Sequence, residues 1–286
     1  MQNTLHFCAY LLLLHPILCY PLQIILGKEG NSVFNSIKTK RIGSADEILQ
    51  VDLTKFKGRC FYSTDLHGYY DLLHEKLKEV AFDSSKDILI LGADMCDRGP
   101  DSKYVLDYLN EPWVYCIRGN HEQLLIQSFE DGFVGPAARC LYENGGDWVF
   151  ELVETEKLQT VQSIYESFKS LPLAIELETK SGKRVGIVHA EVPYGDWDRF
   201  KGMTKAELDY SGQAVAQWAR TKYDTQNQDF VKNIDVVLQG HTPTKSGNLE
   251  LLGNQAYCDL GSFFRNKICF IEITDEFITG IENGKI

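Results

Sequence analysis

The sequence predicts an α/β fold built around parallel strands, on three observations. Short apolar runs of strand length alternate with stretches of helical periodicity. Each of the first three apolar runs ends in a polar motif rich in Asp, His and Arg. The second half is denser in short apolar runs and carries a hairpin signal at Lys180-Ser181-Gly182-Lys183. The length of 286 residues suffices for one large domain or two small ones, and 44% hydrophobic with 24% charged content excludes global disorder.

In chain order, no charged residue precedes Lys28. The apolar run at 5–26 is long enough to span a bilayer, but Pro16 and Pro21 interrupt it and it lacks the basic start of a signal peptide. Lys28, Lys38, Lys40 and Arg41 come next, a pattern that would keep the downstream chain on the cytoplasmic side. The expectation is therefore a cytoplasmic catalytic domain with membrane association through residues 5–26. The rival reading makes residues 1–27 an optional extension. Residues 28–50 read as a polar linker, and the folded domain, 51–286, is expected to begin near Val51.

Residues 59–63 read as a strand, and 69–80 as a helix with Leu73, Leu77 and Val80 at helical spacing. Strands are expected at 87–91 and 113–117, with helices at 101–109 and 120–129. Right-handed crossovers between parallel strands bring all the strand ends to one edge, where ligands of open α/β sheets bind. Asp65, His67, Asp94, Asp97, Asn120 and His121 should therefore meet. Strands at 173–178 and 184–188 flank the hairpin turn, 204–222 reads as helix, and strands are expected at 234–238, 256–260 and 268–273.

The net charge of -11 argues against a general nucleic-acid partner. Phosphate handling by such a chain must rest on metal ions or a few arginines. The eight cysteines include no Cys-x-x-Cys pair and read as small buried hydrophobes in a reducing compartment.

The motifs are Asp65-Leu66-His67-Gly68, Asp94-Met95-Cys96-Asp97-Arg98-Gly99, Arg118-Gly119-Asn120-His121-Glu122, His189-Ala190 and Gly240-His241-Thr242. Oxygen and imidazole donors together suit Mn, Fe or Zn, and the absence of thiolate donors argues against a structural zinc site. Asp65, His67, Asp94, Asn120, His189 and His241 are the candidate ligands, enough for two ions sharing Asp94. Two ions about 3.5–4 Å apart can hold a bridging water or hydroxide and clamp a phosphate. His121 directly follows a ligand, so it faces substrate and can protonate the departing alkoxide. Asp97 can bind its other ring nitrogen, and Arg98 can bind phosphate oxygens bidentately.

This set resembles the phosphoprotein phosphatase family of metallophosphoesterases, in its compact bacterial and phage branch typified by the phosphatase of bacteriophage lambda. The resemblance extends from about Val51 to the C-terminus and includes Asn144-Gly145-Gly146-Asp147-Trp148, His189-Ala190-Glu191-Val192-Pro193, Gly240-His241-Thr242-Pro243 and Tyr257-Cys258-Asp259-Leu260-Gly261. It implies a calcineurin-like fold of two packed mixed β-sheets flanked by helices, and a binuclear site most often active with Mn²⁺. It implies Asp65, His67 and Asp94 at one metal, and Asp94, Asn120, His189 and His241 at the other. His121 would be the general acid paired with Asp97. Arg98 would bind phosphate, with Asn120 beside it and Arg220 of Trp218-Ala219-Arg220 as a second clamp. Thr64 and Ala93 depart from the pattern, standing where glycines usually precede the metal aspartates.

The expected activity is a metal-dependent phosphomonoesterase, a serine/threonine protein phosphatase acting on phosphorylated proteins or peptides. Two alternatives stand beside it: a symmetrical dinucleoside tetraphosphate hydrolase, and an inactive phosphate-binding module. Glu122 favours the phosphatase, since the hydrolases resembling this pattern tend to carry Asp there. Arg118, Cys96, Trp148 and Trp197 read as structural or packing residues, and His74 as an ordinary polar residue on a helix.

Overall fold

The computed structural model describes residues 33–285. Its strands are β1 (Lys38–Ile42), β2 (Ile48–Asp52), β3 (Cys60–Ser63), β4 (Ile88–Leu91), β5 (Val114–Cys116), β6 (Ala174–Glu178), β7 (Arg184–Val188), β8 (Val236–Gln239), β9 (Glu250–Leu252), β10 (Gln255–Tyr257) and β11 (Ile271–Glu272). They form one sheet in the order β1-β2-β6-β7-β8-β10-β9 and a second in the order β11-β3-β4-β5, both mixed. The principal helices are α1 (Tyr70–Glu79), α2 (Val105–Leu109), α3 (Asn120–Glu130), α4 (Pro136–Glu143), α5 (Asp147–Glu154), α6 (Leu158–Ser170), α7 (Trp197–Gly202), α8 (Gln213–Trp218), α9 (Ser262–Arg265) and α10 (Asp275–Glu282).

The period-2 alternation of strand side chains builds the layers. In β3 and β4, Cys60, Tyr62, Ile88 and Ile90 face the other sheet, where they join Val51, Ile175, Val185, Ile187, Val236 and Leu238 in one core. Phe61, Leu89 and Leu91 point the opposite way, into a second core with Leu73, Leu124, Leu125, Ile164 and Phe168 from the helices. Val188 and Val237 of the larger sheet pack outward on Trp197, Phe200 and Leu208. Both faces of each sheet are thus covered, which is why β3 and β4 are uninterrupted buried runs.

Several expectations are corrected. Residues 38–50 are not linker. β1 pairs antiparallel with β2, and β2 continues the sheet in parallel with β6. Lys38-Thr39-Lys40-Arg41-Ile42 reads as linker because it is an edge strand, and edges carry charge on their exposed positions. The helix expected over 204–222 is broken. A helical turn, Lys205–Glu207, passes into a π segment, Leu208–Gly212, and then α8, after which Ala219 is extended. Arg220 consequently lies between helices rather than on one. The strand expected over 268–273 forms a ladder only at Ile271–Glu272, and helix 101–109 opens as a 3₁₀ turn. Against the expected membrane association, no helix among the described residues is long and apolar enough to cross a membrane. Residues 5–26, on which that expectation rested, lie outside the described part.

Candidate active site

The site sits where strands from both sheets end. Loops leaving β3 and β4 carry Asp65 and His67 and Asp94 to Arg98, and the first turn of α3, which follows β5, carries Asn120 with His121. Loops leaving β7 and β8 carry His189 and His241. The first two loops extend the β3–β4 pairing: the amides of Asp65 and His67 donate to the carbonyls of Ala93 and Asp94 at 3.1 and 2.9 Å. From the larger sheet, the Gly240 amide donates to the His189 carbonyl at 2.9 Å.

Asp65, His67, Asp94, Asp97, Arg98 and His241 all have φ between 47° and 72°. Each left-handed non-glycine residue costs on the order of 1 kcal/mol and persists only where surrounding bonds hold it. Glu122 supplies many of those bonds. Its carboxylate accepts from the amides of Met95 at 2.8 Å, Gly119 at 2.9 Å and Asp94 at 3.1 Å. Two glycines permit the close approach of loop to carboxylate. A Cβ at Gly240 would lie 1.8 Å from Asp65 Oδ2, and one at Gly119 2.4 Å from Asp94 Oδ1.

Two groups of donors result. Ligand atoms of His67, Asp94 and His121 lie within 4.8 Å of one another, as do those of Asp94, His189 and His241. Asp94 belongs to both. His189 Nε2 is 3.2 Å from Asp94 Oδ2. Asn120 Oδ1 lies 2.8 Å from His189 Nε2 and 3.1 Å from His241 Nδ1. Asp65 departs from its expected neighbours: its carboxylate accepts from the His241 amide at 2.9 and 3.1 Å and from the Thr64 hydroxyl at 2.6 Å. His121, expected outside the donor sets, sits inside one.

His121 Nδ1 is 2.6 Å from Asp97 Oδ2, and the Trp148 indole donates to Asp97 Oδ1 at 2.7 Å. Arg98 reaches both neighbouring imidazoles, Nη1 at 2.6 Å from His67 Nε2 and Nη2 at 3.1 Å from His121 Nε2. Arg220 Nε donates to His241 Nε2 at 3.2 Å. Trp148, read from sequence as packing, therefore fixes the carboxylate that holds His121. Arg118 is buried and lies 3.4 Å from Glu47. Trp197 is buried and donates to Glu176, and His74 Nε2 is 2.6 Å from the Tyr108 hydroxyl.

Burial opposes ionisation of Asp94, but His189 and His121 hold its carboxyl well below the usual range. Burial pulls His189 down and Asp94 outweighs it, raising the imidazole to about 10. Burial and the neighbouring His189 push His241 down to about 3. Burial, with Asp259 and Asp94 nearby, pushes Asp65 well above its ordinary value, and burial lifts Asp259 to about 6. Crowded buried carboxylates and imidazoles of this kind are the charge pattern that divalent cations complete. The oxygen and nitrogen donors, with the two glycine gaps, fit such ions.

Asp259, Ser262 and Phe263, after β10, are site neighbours that sequence reading did not assign. Ser262 Oγ donates to the Asp65 carbonyl at 2.6 Å. The signal available for them was the Tyr257-Cys258-Asp259-Leu260-Gly261 motif, which carries no donor spacing of its own.

The pattern of calcineurin-like phosphoesterases (Metallophos) matches residues 62–271. Serine/threonine-protein phosphatase 2 of Escherichia coli (strain K12) is 31% identical over 209 residues, covering 73% of this chain and 90% of that protein. Serine/threonine-protein phosphatase 1 of Salmonella typhimurium is 28% identical, covering 73% and 89%. A symmetrical bis(5'-nucleosyl)-tetraphosphatase of Serratia proteamaculans is 42% identical over 64 residues, 22% of this chain and 23% of that protein. The matched span runs from β3 into β11 and takes in every loop that carries the site. The chain is thereby an enzyme of phosphoester hydrolysis and belongs to the calcineurin-like phosphoesterase family.

Proposed function

We propose that this enzyme is a serine/threonine protein phosphatase acting on phosphorylated proteins or peptides, with Mn²⁺ as its working ion. The observation that carries the reading is the relay Trp148–Asp97–His121–Arg98 set against the two donor groups. Asp65, His67 and Asp94 would hold one divalent ion, and Asp94, Asn120, His189 and His241 the other. Ions there supply positive charge to the phosphate and lower the pKa of water. Donors that are all oxygen and nitrogen suit Mn²⁺, Fe or Zn, and the resemblance to the phosphoprotein phosphatases selects Mn²⁺ among them.

The chain's own residues do the rest. Arg98 and Arg220 approach from the His67 and His241 sides and present guanidinium forks to phosphate oxygens. Asp97 accepts Nδ1–H of His121, fixing the tautomer and leaving Nε2 toward Arg98. Arg98 has only N–H donors, so Nε2 accepts from it here; once Arg98 turns to the phosphate, a protonated Nε2 is free to carry its proton to the leaving oxygen of the ester. Burial pulls the His121 pKa down, but Asp94 and the bond to Asp97 outweigh it and raise it above the usual histidine value, which favours the protonated form that a donor needs. The local likeness to the tetraphosphatase covers less than a quarter of either chain, while the likeness to the two protein phosphatases runs through most of both.

Purified protein with Mn²⁺ should release phosphate from phosphoserine and phosphothreonine peptides with kcat/KM well above that for diadenosine tetraphosphate. The reverse order would move the assignment to nucleotide hydrolysis, and binding of phosphopeptide without turnover would make the site a binding module.

A further inference from the structure

We infer that Phe263 and Trp218 read the group esterified to the phosphate and raise the turnover of an aryl phosphate, phosphotyrosine, relative to the alkyl esters, making it a second substrate class of the same site. The inference rests on the phosphatase reading above and adds specificity-determining residues to it. Both are large apolar side chains left in water, Phe263 at 40% and Trp218 at 42% exposure. Scattered exposed hydrophobics need no explanation. These two, however, flank the expected phosphate clamps on opposite sides of the site.

Phe263 lies on α9, whose first residue, Ser262, is bonded to the Asp65 carbonyl. The Phe263 ring sits 4.5 Å from Arg98 Cζ and 5.9 Å from the His67 ring at 84°. Phe264 braces it at 4.9 Å and 70°. On the other side, Trp218 ends α8 with its carbonyl 3.1 Å from His241 Nε2 and its ring 6.1 Å from that imidazole at 82°. Arg220 follows two residues later and bonds the same histidine. Each arginine thus has an exposed ring beside it, and each ring is tied through backbone or neighbour to a donor loop.

Rings placed in this way select by the group that the ester oxygen carries. A phosphotyrosine carries its ring directly on that oxygen, and aromatic pairs attract at centroid separations of about 4.5–7 Å. A phosphothreonine offers only a methine and a methyl group. Aromatic pairing beyond simple burial corresponds to roughly a two- to tenfold preference per ring.

The test compares kcat/KM for two peptides of the same sequence, one carrying phosphotyrosine and the other phosphothreonine, on wild type, Phe263→Leu, Trp218→Leu and Phe263→Tyr. Each leucine variant should lower the phosphotyrosine-to-phosphothreonine ratio about three- to tenfold. Phe263→Tyr should keep the ratio, and inhibition by inorganic phosphate and bound Mn²⁺ should stay within twofold of wild type. If Phe263 instead only holds Arg98 in place, Phe263→Leu will slow both peptides equally and weaken phosphate inhibition, which overturns the inference. A ratio unmoved in both leucine variants overturns it as well, while leaving the phosphatase reading intact. Wild type that hydrolyses neither peptide overturns both readings.

Discussion

His121 is held from two sides, by Asp97 at Nδ1 and by Arg98 at Nε2, yet it also lies within ligand range of His67 and Asp94. The two possible roles separate by measurement. His121→Asn should lower kcat on a phosphothreonine peptide by about 10²–10⁴-fold, the usual worth of general acid catalysis. The loss should be smaller on p-nitrophenyl phosphate, whose leaving group needs less protonation, and bound metal should stay near the wild-type value. Loss of metal from the variant would move His121 into the ligand set. Thr64 and Ala93, both standing where glycine is usual, turn out to differ. Ala93 keeps the glycine backbone, at φ 77°, and bears the strain. Thr64 instead uses its hydroxyl, 2.6 Å from Asp65 Oδ2 and 2.9 Å from the Gly92 carbonyl. The shorter bond orients a proposed ligand. Thr64→Val keeps the shape and removes the donor, so Mn²⁺ affinity should fall roughly tenfold, the lower end of what such supporting bonds contribute. Thr64→Ser should restore it. Titration of the apo-protein with Mn²⁺ decides, and equal affinities for all three proteins would remove Thr64 from the site.

The elements divide by how locally they are encoded. β3, β4 and β5 were legible because strands buried on both faces are unbroken apolar runs, and β6 and β7 because a Gly-containing turn separates two such runs. The donors were legible for a related reason: each motif follows directly on a strand that sequence already showed. β1 was not legible, since its alternation is of exposed Lys38 and Lys40 with half-buried Thr39 and Arg41, and only pairing with β2 makes it a strand. The break at Ala219 was equally hidden, because nothing local in Gln217-Trp218-Ala219-Arg220 opposes a helix. The opposition to a helix there is distant, the bonds from Arg220 to the side chain and carbonyl of His241. The bond of Trp148 to Asp97 spans α5 and the β4 loop and has no sequence signature at all. The revised start of the fold makes its own prediction. A chain starting at Ile48 loses the β1 ladder, the bond from Arg41 to the Ser170 carbonyl and the bond from the Ser44 amide to the Lys201 carbonyl. With each backbone bond worth about 1 kcal/mol net, its urea midpoint should fall clearly below that of a chain starting at Val33. Coincident midpoints would place β1 outside the cooperative unit.

At the scale of the whole molecule, the two sheets share one core and meet again at the donor cluster. Asp65, His67 and Asp94 come from loops of the smaller sheet and Asn120 from the helix that follows its β5, His189 and His241 from loops of the larger. The inter-sheet core, with Tyr62, Ile90, Ile187 and Leu238 buried in it, sets the separation of those loops. A cation bound by both sets joins the sheets and binds only the folded state, so folding and metal binding are linked. At a free Mn²⁺ concentration of about 100 times Kd the linkage is worth about 2.7 kcal/mol, which for a domain of this size corresponds to a rise in Tm of roughly 5–10 °C. Ile187→Ala should lower Tm through a core cavity, at a cost of about 2–5 kcal/mol, while keeping the Mn²⁺-dependent rise, because no donor is touched. Asp94→Asn should do the opposite, leaving the core intact but losing most of the rise, because it weakens the carboxylate common to both donor groups. Thermal unfolding with Mn²⁺ and with chelator measures both. An Asp94→Asn protein whose Tm still climbs like wild type would show that the cation stabilises this fold from somewhere other than the junction of its two sheets.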